Sequence, residues 1–365
     1  MIDALYRLAK PALFQLDPET VHDRTIAALG RMGTSSNALA LLGRGADPVD
    51  PRLAVSFAGV TLPGPIGIAA GLDKNGVAYP ALAAMGWDSI EIGTVTRLPQ
   101  PGNSKPRIFR LTDNRALINR MGFPGAGVDE VAMNLIMRRK RPATIGINIG
   151  PNKGSVEAGL DAVIADCQDL VRRLSSLCTY LVLNVSSPNT ARLRNLQGKA
   201  ALAELLTAVR SSSPRSHATP LLVKIAPDLT PSEIDDIIDV VLETGLEGVI
   251  ATNTTTARPP ILQGKWCNET GGLSGEPLRS RSLDVIRQIA IATKGTLPII
   301  GVGGIASGTD ALAVLRAGAW STQSYTGMIY QGPGLARAIK RSLSAELDRT
   351  GMTSLKELQE ESLRL

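Results

Sequence analysis

Aromatic side chains and histidines are scarce in this sequence. Phe, Trp and Tyr together make up 3% of its 365 residues, and His22 and His217 are its two histidines. Proteins that bind single-stranded nucleic acids stack the bases on aromatic rings. We therefore expect no nucleic-acid partner, although the net charge is +6. A weak attraction to an anionic membrane surface suits this charge better.

Cysteines are also few. Cys167, Cys178 and Cys267 are odd in number and lack the spacing of metal ligands. Neither a disulfide framework nor a metal site is therefore predicted, and a reducing compartment is expected. The initial segment, MIDALYRLAK, lacks the long apolar core and the cleavage site of a secretory signal.

Long apolar runs are rare, and the one that could span a bilayer is interrupted. Leu53–Leu72 carries no charge, but its centre is Pro63-Gly64-Pro65. These residues would break the hydrogen-bond ladder that a helix in lipid needs. We predict a hairpin over Leu53–Leu62, then a buried strand, and no transmembrane helix. The densest basic run, Arg138–Arg141, is interpreted as a solvated helix end, where cations are favoured by the helix dipole.

From about residue 65 onwards, short apolar strands alternate with amphipathic helices. Eight strands are predicted: Ile66–Ala70, Ser89–Gly93, Ile145–Ile149, Tyr180–Val185, Leu221–Ile225, Gly248–Ala251, Pro298–Val302 and Ser321–Tyr325. A count of eight favours an α/β fold that closes into a (β/α)8 TIM barrel, although a doubly wound sheet shows the same alternation. The predicted domains are an N-terminal helical extension over residues 1–45, the barrel over 46–350 and a C-terminal tail over 351–365.

The N-terminal residues lie outside the barrel pattern. Apolar side chains recur on one helical face, and Asp17-Pro18-Glu19 is a typical helix start. Residues 1–32 are therefore predicted to form two short amphipathic helices. Such helices could pack on the barrel, or they could lie on a membrane or line an apolar tunnel. The pattern alone favours packing.

Active sites of TIM barrels lie at the carboxyl ends of the strands. Here Lys74 follows the first strand, Asn148 and Lys224 lie in the third and fifth, and the fourth runs into NVSSPNT (Asn184–Thr190). Turn formation alone does not explain two lysines at these positions, so we expect a small-molecule site at this end. The long connection Val95–Ala143 is expected to contribute to function.

Two glycine-rich segments follow the last two strands, namely GVGGI (Gly301–Ile305) and Tyr325-Thr326-Gly327. Backbone N–H groups unobstructed by side chains form the usual phosphate site of this barrel. Together with Lys224 and the amides of Asn148 and Asn184, they suit flavin mononucleotide (FMN), which has one phosphate and a ring edge of donors and acceptors.

Four asparagines could converge on a planar ring that carries alternating C=O and N–H groups, namely Asn119, Asn184, Asn189 and Asn253. Lys74 would then meet a carboxylate, so the predicted ligand is a small anionic heterocycle.

A proton acceptor has to be found without imidazole. His22 lies in the helical extension and His217 precedes the fifth strand, at the opposite end of the barrel, so a Ser–His–Asp triad is not expected. Ser186 or Ser187 would relay a proton once the substrate is acidified and the site is closed. The segment that follows, Thr190–Gly198, is predicted to be a mobile covering loop.

A series of short motifs occurs in order along the chain: AGLDKNG, IEIGTVT, KPRIFRL, INRMGF, GINIG, NVSSPNT, VKIAPDLT, GVIATNTT, TGGLSG and IIGVGGI. From Asp17 to about Leu335, the chain thereby resembles the dihydroorotate dehydrogenase family, specifically its membrane-associated, quinone-using class. The resemblance implies oxidation of (S)-dihydroorotate to orotate in pyrimidine (UMP) biosynthesis, with FMN as hydride acceptor and a membrane quinone as final electron acceptor. An FMN barrel oxidoreductase that uses NAD or fumarate is the alternative.

The resemblance also assigns roles position by position. Ser187 matches the catalytic base, which is Ser in the quinone-using class and Cys in the soluble class. Substrate contacts are implied for Lys74, Asn119, Arg120, Met121, Gly122, Phe123, Asn184, Asn189, Asn253 and Thr254. FMN contacts are implied for Ala70, Gly71, Lys74, Thr94, Asn148, Asn184, Lys224, Thr252, Gly275, Gly304, Tyr325 and Thr326. Proximity to the quinone is implied for His22, Arg110 and Tyr325.

Two further expectations concern the ends of the barrel pattern. The resemblance implies that residues 1–32 form the quinone entrance and associate peripherally with the cytoplasmic side of the cell membrane. The last strand departs from the family pattern, because Trp320–Tyr325 reads WSTQSY where the family is more apolar. Polar side chains inside a barrel need hydrogen-bond partners, so the register of this strand stays open.

Overall fold

The computed structural model describes residues 2–44, 48–138, 143–212 and 219–363. His217, residues 139–141 of the basic run and the predicted boundary between residues 45 and 46 lie outside these ranges. The strands are β1 (Val55–Phe57), β2 (Val60–Leu62), β3 (Ile66–Ile68), β4 (Ser89–Val95), β5 (Ile108–Leu111), β6 (Ala116–Asn119), β7 (Ile145–Ile149), β8 (Tyr180–Asn184), β9 (Leu221–Ile225), β10 (Gly248–Ala251), β11 (Gly272–Gly275), β12 (Ile299–Val302) and β13 (Ser321–Ser324). The helices are α1 (Ile2–Gln15), α2 (Pro18–Met32), α3 (Ser36–Gly43), α4 (Tyr79–Ala84), α5 (Gly127–Arg138), α6 (Lys153–Ala158), α7 (Leu160–Leu174), α8 (Lys199–Ser211), α9 (Pro231–Thr244), α10 (Arg279–Ala292), α11 (Gly308–Arg316), α12 (Thr326–Gln331), α13 (Leu335–Thr350) and α14 (Leu355–Leu363).

Eight parallel strands close into a barrel in the order β3-β4-β7-β8-β9-β10-β12-β13. These are the eight strands that the sequence predicts, with ends that differ by no more than a residue or two. Almost every side chain in them is buried, as expected for parallel strands covered by helices. The prediction of a TIM barrel is confirmed.

The predicted hairpin is also present, formed by β1 and β2. Phe57 lies against Tyr180 at the start of β8, with ring centroids 6.2 Å apart. The hairpin therefore covers the amino-terminal end of the barrel, opposite the strand ends that carry the predicted site. Among the described residues, no helix is both long and apolar enough to cross a membrane.

The long connection after β4 is not a bare loop. It contributes β5 and β6 to an antiparallel sheet, and β11, from the connection after β10, adds the third strand. Phe109, Ile118 and Leu273 bury one face of this sheet in a small core of its own. The sheet joins two distant parts of the sequence, so periodicity in either part alone does not predict it.

The N-terminal extension packs on the barrel. Asp17 caps α2 by accepting a hydrogen bond from the Thr20 amide at 2.8 Å, which is the predicted helix start. Glu19 on α2 forms a buried ion pair with Arg107, at 2.7 Å. Leu5 and Leu8 on α1 remain 60% and 80% exposed, so one part of the extension is fastened while an apolar part faces outward.

The segment predicted as a C-terminal tail contains α14. Leu355 and Leu358 on this helix are 2% and 0% exposed and belong to the main core. Gln359 donates a hydrogen bond of 2.5 Å to the carbonyl of Ala319, just before β13. This part of the chain therefore packs on the barrel.

Candidate active site

One cavity lies at the carboxyl ends of the barrel strands, beneath the β5–β6–β11 sheet. Most of the predicted site residues line it, namely Ala70, Gly71, Lys74, Thr94, Asn119, Met121, Gly122, Phe123, Asn184, Ser187, Asn189, Lys224, Thr252, Asn253, Thr254, Gly275, Gly304, Tyr325 and Thr326. The structure thus brings together residues from almost the whole length of the chain. Convergent polar groups in one cleft are the usual form of a small-molecule site.

Four predicted residues do not line the cavity. Asn148 lies beneath it, fully buried. Arg120 forms an ion pair of 2.5 Å with Glu269 instead. Arg110 donates a hydrogen bond of 2.7 Å to the carbonyl of Leu16, in the turn between α1 and α2. His22 touches the lining residue Lys74 from α2.

The asparagine side-chain amides form two sets of hydrogen bonds, one on each side of the cavity. Oδ1 of Asn148 accepts from Thr94 Oγ1 at 2.6 Å and from Asn184 Nδ2 at 3.1 Å. On the far side of the cavity, Asn189 Nδ2 donates to Asn119 Oδ1 at 3.1 Å. Each amide is thereby held in one orientation, which is what recognition of a fixed donor and acceptor pattern requires.

The two adjacent serines are placed differently. Ser186 is 0% exposed, and its Oγ donates to Asn184 Oδ1 at 3.0 Å and accepts from Asn253 Nδ2 at 3.0 Å. Ser187 lines the cavity, and its Oγ accepts a hydrogen bond from the backbone N–H of Asn189 at 3.2 Å. Ser187 therefore keeps its own proton free to donate and faces the ligand space, whereas Ser186 is occupied in orienting the amides.

The protonation of both Lys74 and His22 is shifted at their contact. Burial, followed by the positive charge of Lys74, lowers the pKa of His22 to about 3. Burial also lowers the pKa of Lys74 to about 8. At neutral pH, a neutral imidazole thus accepts from a lysine that is still mostly charged, and Nδ1 of His22 has no hydrogen-bond partner among the described residues.

The glycine-rich segment after β12 forms a cradle of bare backbone. Gly304 has φ +70°, and a Cβ there would lie 2.6 Å from Cβ of Arg279. At Gly303, with φ +140°, a Cβ would lie 2.7 Å from Cβ of Ser282. No side chain fits at either position, which suits the close approach of backbone N–H groups to an anion.

The segment predicted as a covering loop is anchored. It contains a short helical turn at Leu193–Gln197, and Arg194 in that turn donates to the carbonyls of Ser186 at 3.0 Å and Thr254 at 2.9 Å. Arg194 also pairs with Asp228 at 2.6 Å. These contacts join the loop to the ends of β8 and β10, on both sides of the cavity.

Sequence reasoning missed several lining residues. Ile108, Leu117 and Ser274 enter the cavity from the β5–β6–β11 sheet, and Gln323 and Ser324 enter from β13. The motif TGGLSG pointed to the region of Ser274, whose Oγ lies 2.8 Å from Thr326 Oγ1. The polar composition of WSTQSY was the signal for the other two.

The barrel supplies hydrogen-bond partners for most of the polar side chains of β13, whose register is fixed by parallel pairing with β12 and β3. Thr322 Oγ1 donates to the Pro65 carbonyl at 2.9 Å, and Ser324 Oγ donates to the Ile305 carbonyl at 2.7 Å. Gln323 Nε2 donates to Glu91 Oε2 at 2.7 Å. Only Oε1 of Gln323 is buried without a partner in this described strand.

Comparisons with known proteins agree with this geometry. The sequence profile described as dihydroorotate dehydrogenase matches residues 52–347. Dihydroorotate dehydrogenase (quinone) from Parvibaculum lavamentivorans is 46% identical over 353 residues, which cover 97% of each chain. The corresponding protein from Rhodospirillum rubrum is 45% identical, with coverage of 96% of this chain and 93% of the relative.

A solved structure shows the same likeness. The crystal structure of DHODH from Eimeria tenella in complex with ferulenol superimposes with a TM-score of 0.85 at 39% identity. The match covers 95% of this chain and 97% of the other. The chain described here therefore belongs to the dihydroorotate dehydrogenase family.

Proposed function

We propose that this protein oxidises (S)-dihydroorotate to orotate in pyrimidine (UMP) biosynthesis, with FMN as hydride acceptor and a membrane quinone as final electron acceptor. The observation that carries the proposal is the position of Ser187. Its free hydroxyl lines the same cavity as Lys74, the asparagine amides and the glycine cradle. Family membership and close relatives named dihydroorotate dehydrogenase (quinone) support it.

The substrate is held by complementary charge and hydrogen bonds. Dihydroorotate carries a carboxylate, which the Lys74 ammonium would bind. Its ring presents C=O and N–H groups, for which the amides of Asn119, Asn184, Asn189 and Asn253 offer donors and acceptors. Because these amides already bond to one another, little ordering is needed when the substrate binds. Met121, Gly122, Phe123 and Thr254 would complete the enclosure.

Ser187 would take the proton from C5 of the substrate. In the structure its Oγ accepts a hydrogen bond from the backbone N–H of Asn189, which stabilises negative charge as it develops on that oxygen. Ser187 is 4% exposed, so bulk water competes little for the proton. No histidine among the described residues lies within hydrogen-bond range of Ser187, so the hydroxyl's own proton would pass to water as the C5 proton is taken up.

The residues present fit FMN. The Gly303–Gly304 cradle suits a phosphate, and Lys224, which makes no hydrogen bond to the described residues, offers an ammonium to the ring. Gln323 Oε1 and Thr254 Oγ1 are buried without partners and could bond to ring groups. When bound, FMN would accept the hydride from C6 of the substrate. Ala70, Gly71, Thr94, Asn148, Thr252, Gly275, Tyr325 and Thr326 would hold or support it.

The extension over residues 1–45 would provide the route for the quinone. His22, Arg110 and Tyr325 lie at the junction between α2, β5 and the cavity, and Leu5 and Leu8 expose apolar surface on α1. We infer that residues 1–32 associate peripherally with the cytoplasmic side of the cell membrane. The barrel domain over residues 46–350 would then carry out both electron transfers.

An anaerobic visible spectrum of the purified protein tests the proposal. We expect a flavin spectrum that bleaches when dihydroorotate is added and recovers when a soluble quinone analogue follows. A flavin that does not bleach would refute the substrate. Recovery with NAD or fumarate but not with quinone would refute the acceptor, and failure to bind FMN after reconstitution would refute the cofactor.

A further inference from the structure

A buried carboxylate lies inside the barrel, directly below the cavity. Glu91 on β4 is 0% exposed. Its Oε1 accepts from Asn148 Nδ2 at 2.8 Å, and its Oε2 accepts from Gln323 Nε2 at 2.7 Å. Both neighbours donate to it, so the hydrogen-bond pattern is that of an ionised carboxylate.

The charge of Glu91 faces Lys224. The ammonium of Lys224 lies 3.6 Å from Oε1 of Glu91, and the two side chains are 6% and 0% exposed. This distance is an ion pair but too long for a hydrogen bond. Within the described part of the chain, Lys224 has no other ion-pair partner, and it lines the cavity. Its three N–H donors are therefore still available to a ligand above.

The interior of the barrel accommodates the Glu91 carboxylate. Gln323 Nε2 also lies 3.3 Å from the hydroxyl of Tyr180. Gly146 lies between Glu91 and Tyr180 in the strand register. A Cβ at this position would lie 2.3 Å from Cζ of the Tyr180 ring, so only glycine leaves room for the ring there. Burying a carboxylate is costly unless it is paired and hydrogen-bonded, and here four side chains from other strands surround one carboxylate. The polar sequence of β13 is explained in part by this cluster.

We propose that Glu91 is a charge-compensating residue that lowers the reduction potential of the flavin by offsetting the positive charge of Lys224. This inference rests on the proposed function, since it requires FMN in the cavity. Flavin gains negative charge on reduction, which Lys224 stabilises. Glu91 opposes that stabilisation in a low-dielectric interior. A lower potential favours the passage of electrons onward to a quinone.

Glu91→Gln removes the charge while keeping the hydrogen bonds. The new amide oxygen can accept from Asn148. The new amide N–H can donate to Oε1 of Gln323, which is buried without a partner, once the Gln323 amide has turned over. Lys224 then lacks its carboxylate. The variant therefore removes the charge of Glu91 and keeps the size of the side chain and its hydrogen bond from Asn148.

The experiment is a dye-referenced reductive titration of the FMN-loaded protein. We expect Glu91→Gln to favour reduced flavin by about tenfold in the equilibrium constant, which is about 30 mV for a two-electron couple. The control is Asp88→Asn. Asp88 is another buried carboxylate paired with a lysine, at 2.9 Å from Lys340, but it precedes β4 and does not line the cavity. Asp88→Asn should therefore leave the reduction potential of the flavin unchanged.

A charge-conserving variant guards against loss of folding. Glu91→Asp keeps a carboxylate inside the barrel near Lys224, so its potential should lie closer to that of the parent than the potential of Glu91→Gln does. The proposal is overturned if Glu91→Gln binds FMN at the parental potential, or if Asp88→Asn shifts the potential equally. It is also overturned if neither Glu91→Gln nor Glu91→Asp holds FMN. Loss of flavin from the parent protein would instead refute the proposed function.

Discussion

Lys74 and His22 meet where the N-terminal extension joins the barrel, with Nζ of Lys74 lying 3.2 Å from Nε2 of His22. Lys74 lines the cavity, and His22 belongs to α2. The helices that would admit a quinone are thus in direct contact with the group that would bind the substrate carboxylate. Substrate binding at Lys74 would therefore be coupled to the extension through this hydrogen bond.

This contact gives a prediction for pH dependence. Burial lowers the pKa of Lys74 to about 8, so the ammonium loses its proton as pH rises through that value. We expect kcat/KM for dihydroorotate to fall above about pH 8, because this parameter reports ionisations of the free enzyme. Lys74→Arg keeps its charge, so the fall should disappear even if the rate is lower throughout. A fall that persists in Lys74→Arg would assign the ionisation to another group.

The proton acceptor can be tested by substituting each serine in turn. Ser187→Ala should still bind FMN and orotate but reduce the flavin about 10²- to 10⁴-fold more slowly, the usual range for loss of a general base. Ser187→Cys should retain more activity than Ser187→Ala, because a cysteine thiolate can also accept the proton. Stopped-flow bleaching of the flavin measures both rates.

Ser186→Ala is the matched control for that experiment. It removes the hydroxyl that bonds to Asn184 and Asn253, so dihydroorotate should bind more weakly while the limiting rate of flavin reduction changes much less. A larger loss of limiting rate in Ser186→Ala than in Ser187→Ala would reverse the assignment.

The buried pair of Glu19 and Arg107 should contribute to stability. Both side chains are 8% exposed, so Glu19→Gln leaves a guanidinium buried without its carboxylate. We expect the free energy of unfolding in urea to fall by about 3–5 kcal/mol, measured at saturating FMN. The control is Glu269→Gln. The Glu269 and Arg120 side chains are 28% and 27% exposed, and loss of that pair should cost about 1 kcal/mol or less.

The pH dependence of this pair has a definite sign. Burial alone would raise the pKa of Glu19, but hydrogen bonds and charge from Arg107 outweigh it and hold the pKa below its ordinary value. The stabilisation is therefore present above the unfolded-state pKa and is lost as pH falls through the folded-state pKa. The difference between parent and Glu19→Gln should shrink at acid pH. A constant difference would show that the carboxylate charge is not the cause.

Membrane association can be tested without deleting the extension. Deletion of residues 1–32 would remove Glu19 as well and unpair Arg107. Replacing the exposed Leu5 and Leu8 by Ser should instead weaken binding to anionic vesicles roughly 10²- to 10⁴-fold, since burying each leucine contributes about 1.5–3 kcal/mol and about 1.4 kcal/mol is a factor of ten. Flavin reduction by dihydroorotate should be unchanged.

The matched control is the double replacement of Leu242 and Ile291 by Ser. These residues are 54% and 65% exposed and lie on α9 and α10 of the barrel. Vesicle binding should be unaffected by this change. Equal binding by the parent and the α1 variant in a sedimentation assay would mean that α1 does not carry the association.

The sequence by itself determined the eight barrel strands, the hairpin before them and the two N-terminal helices. These elements follow from apolar periodicity and from local start and turn signals, which act over a few neighbouring residues. It also placed most of the lining residues, because strand ends in a barrel converge at one face. The resemblance to a family, which also rests on sequence alone, distinguished Ser187 from Ser186.

Tertiary structure alone decided what depends on distant partners. The β5–β6–β11 sheet pairs segments from opposite halves of the chain, and Arg194 fastens the loop after β8 to the end of β10. Gln323 in WSTQSY is accommodated because Glu91 and Tyr180 reach it from other strands. Hydrogen bonds and charges act through space, so the sequence shows which side chains are polar but not which ones will meet.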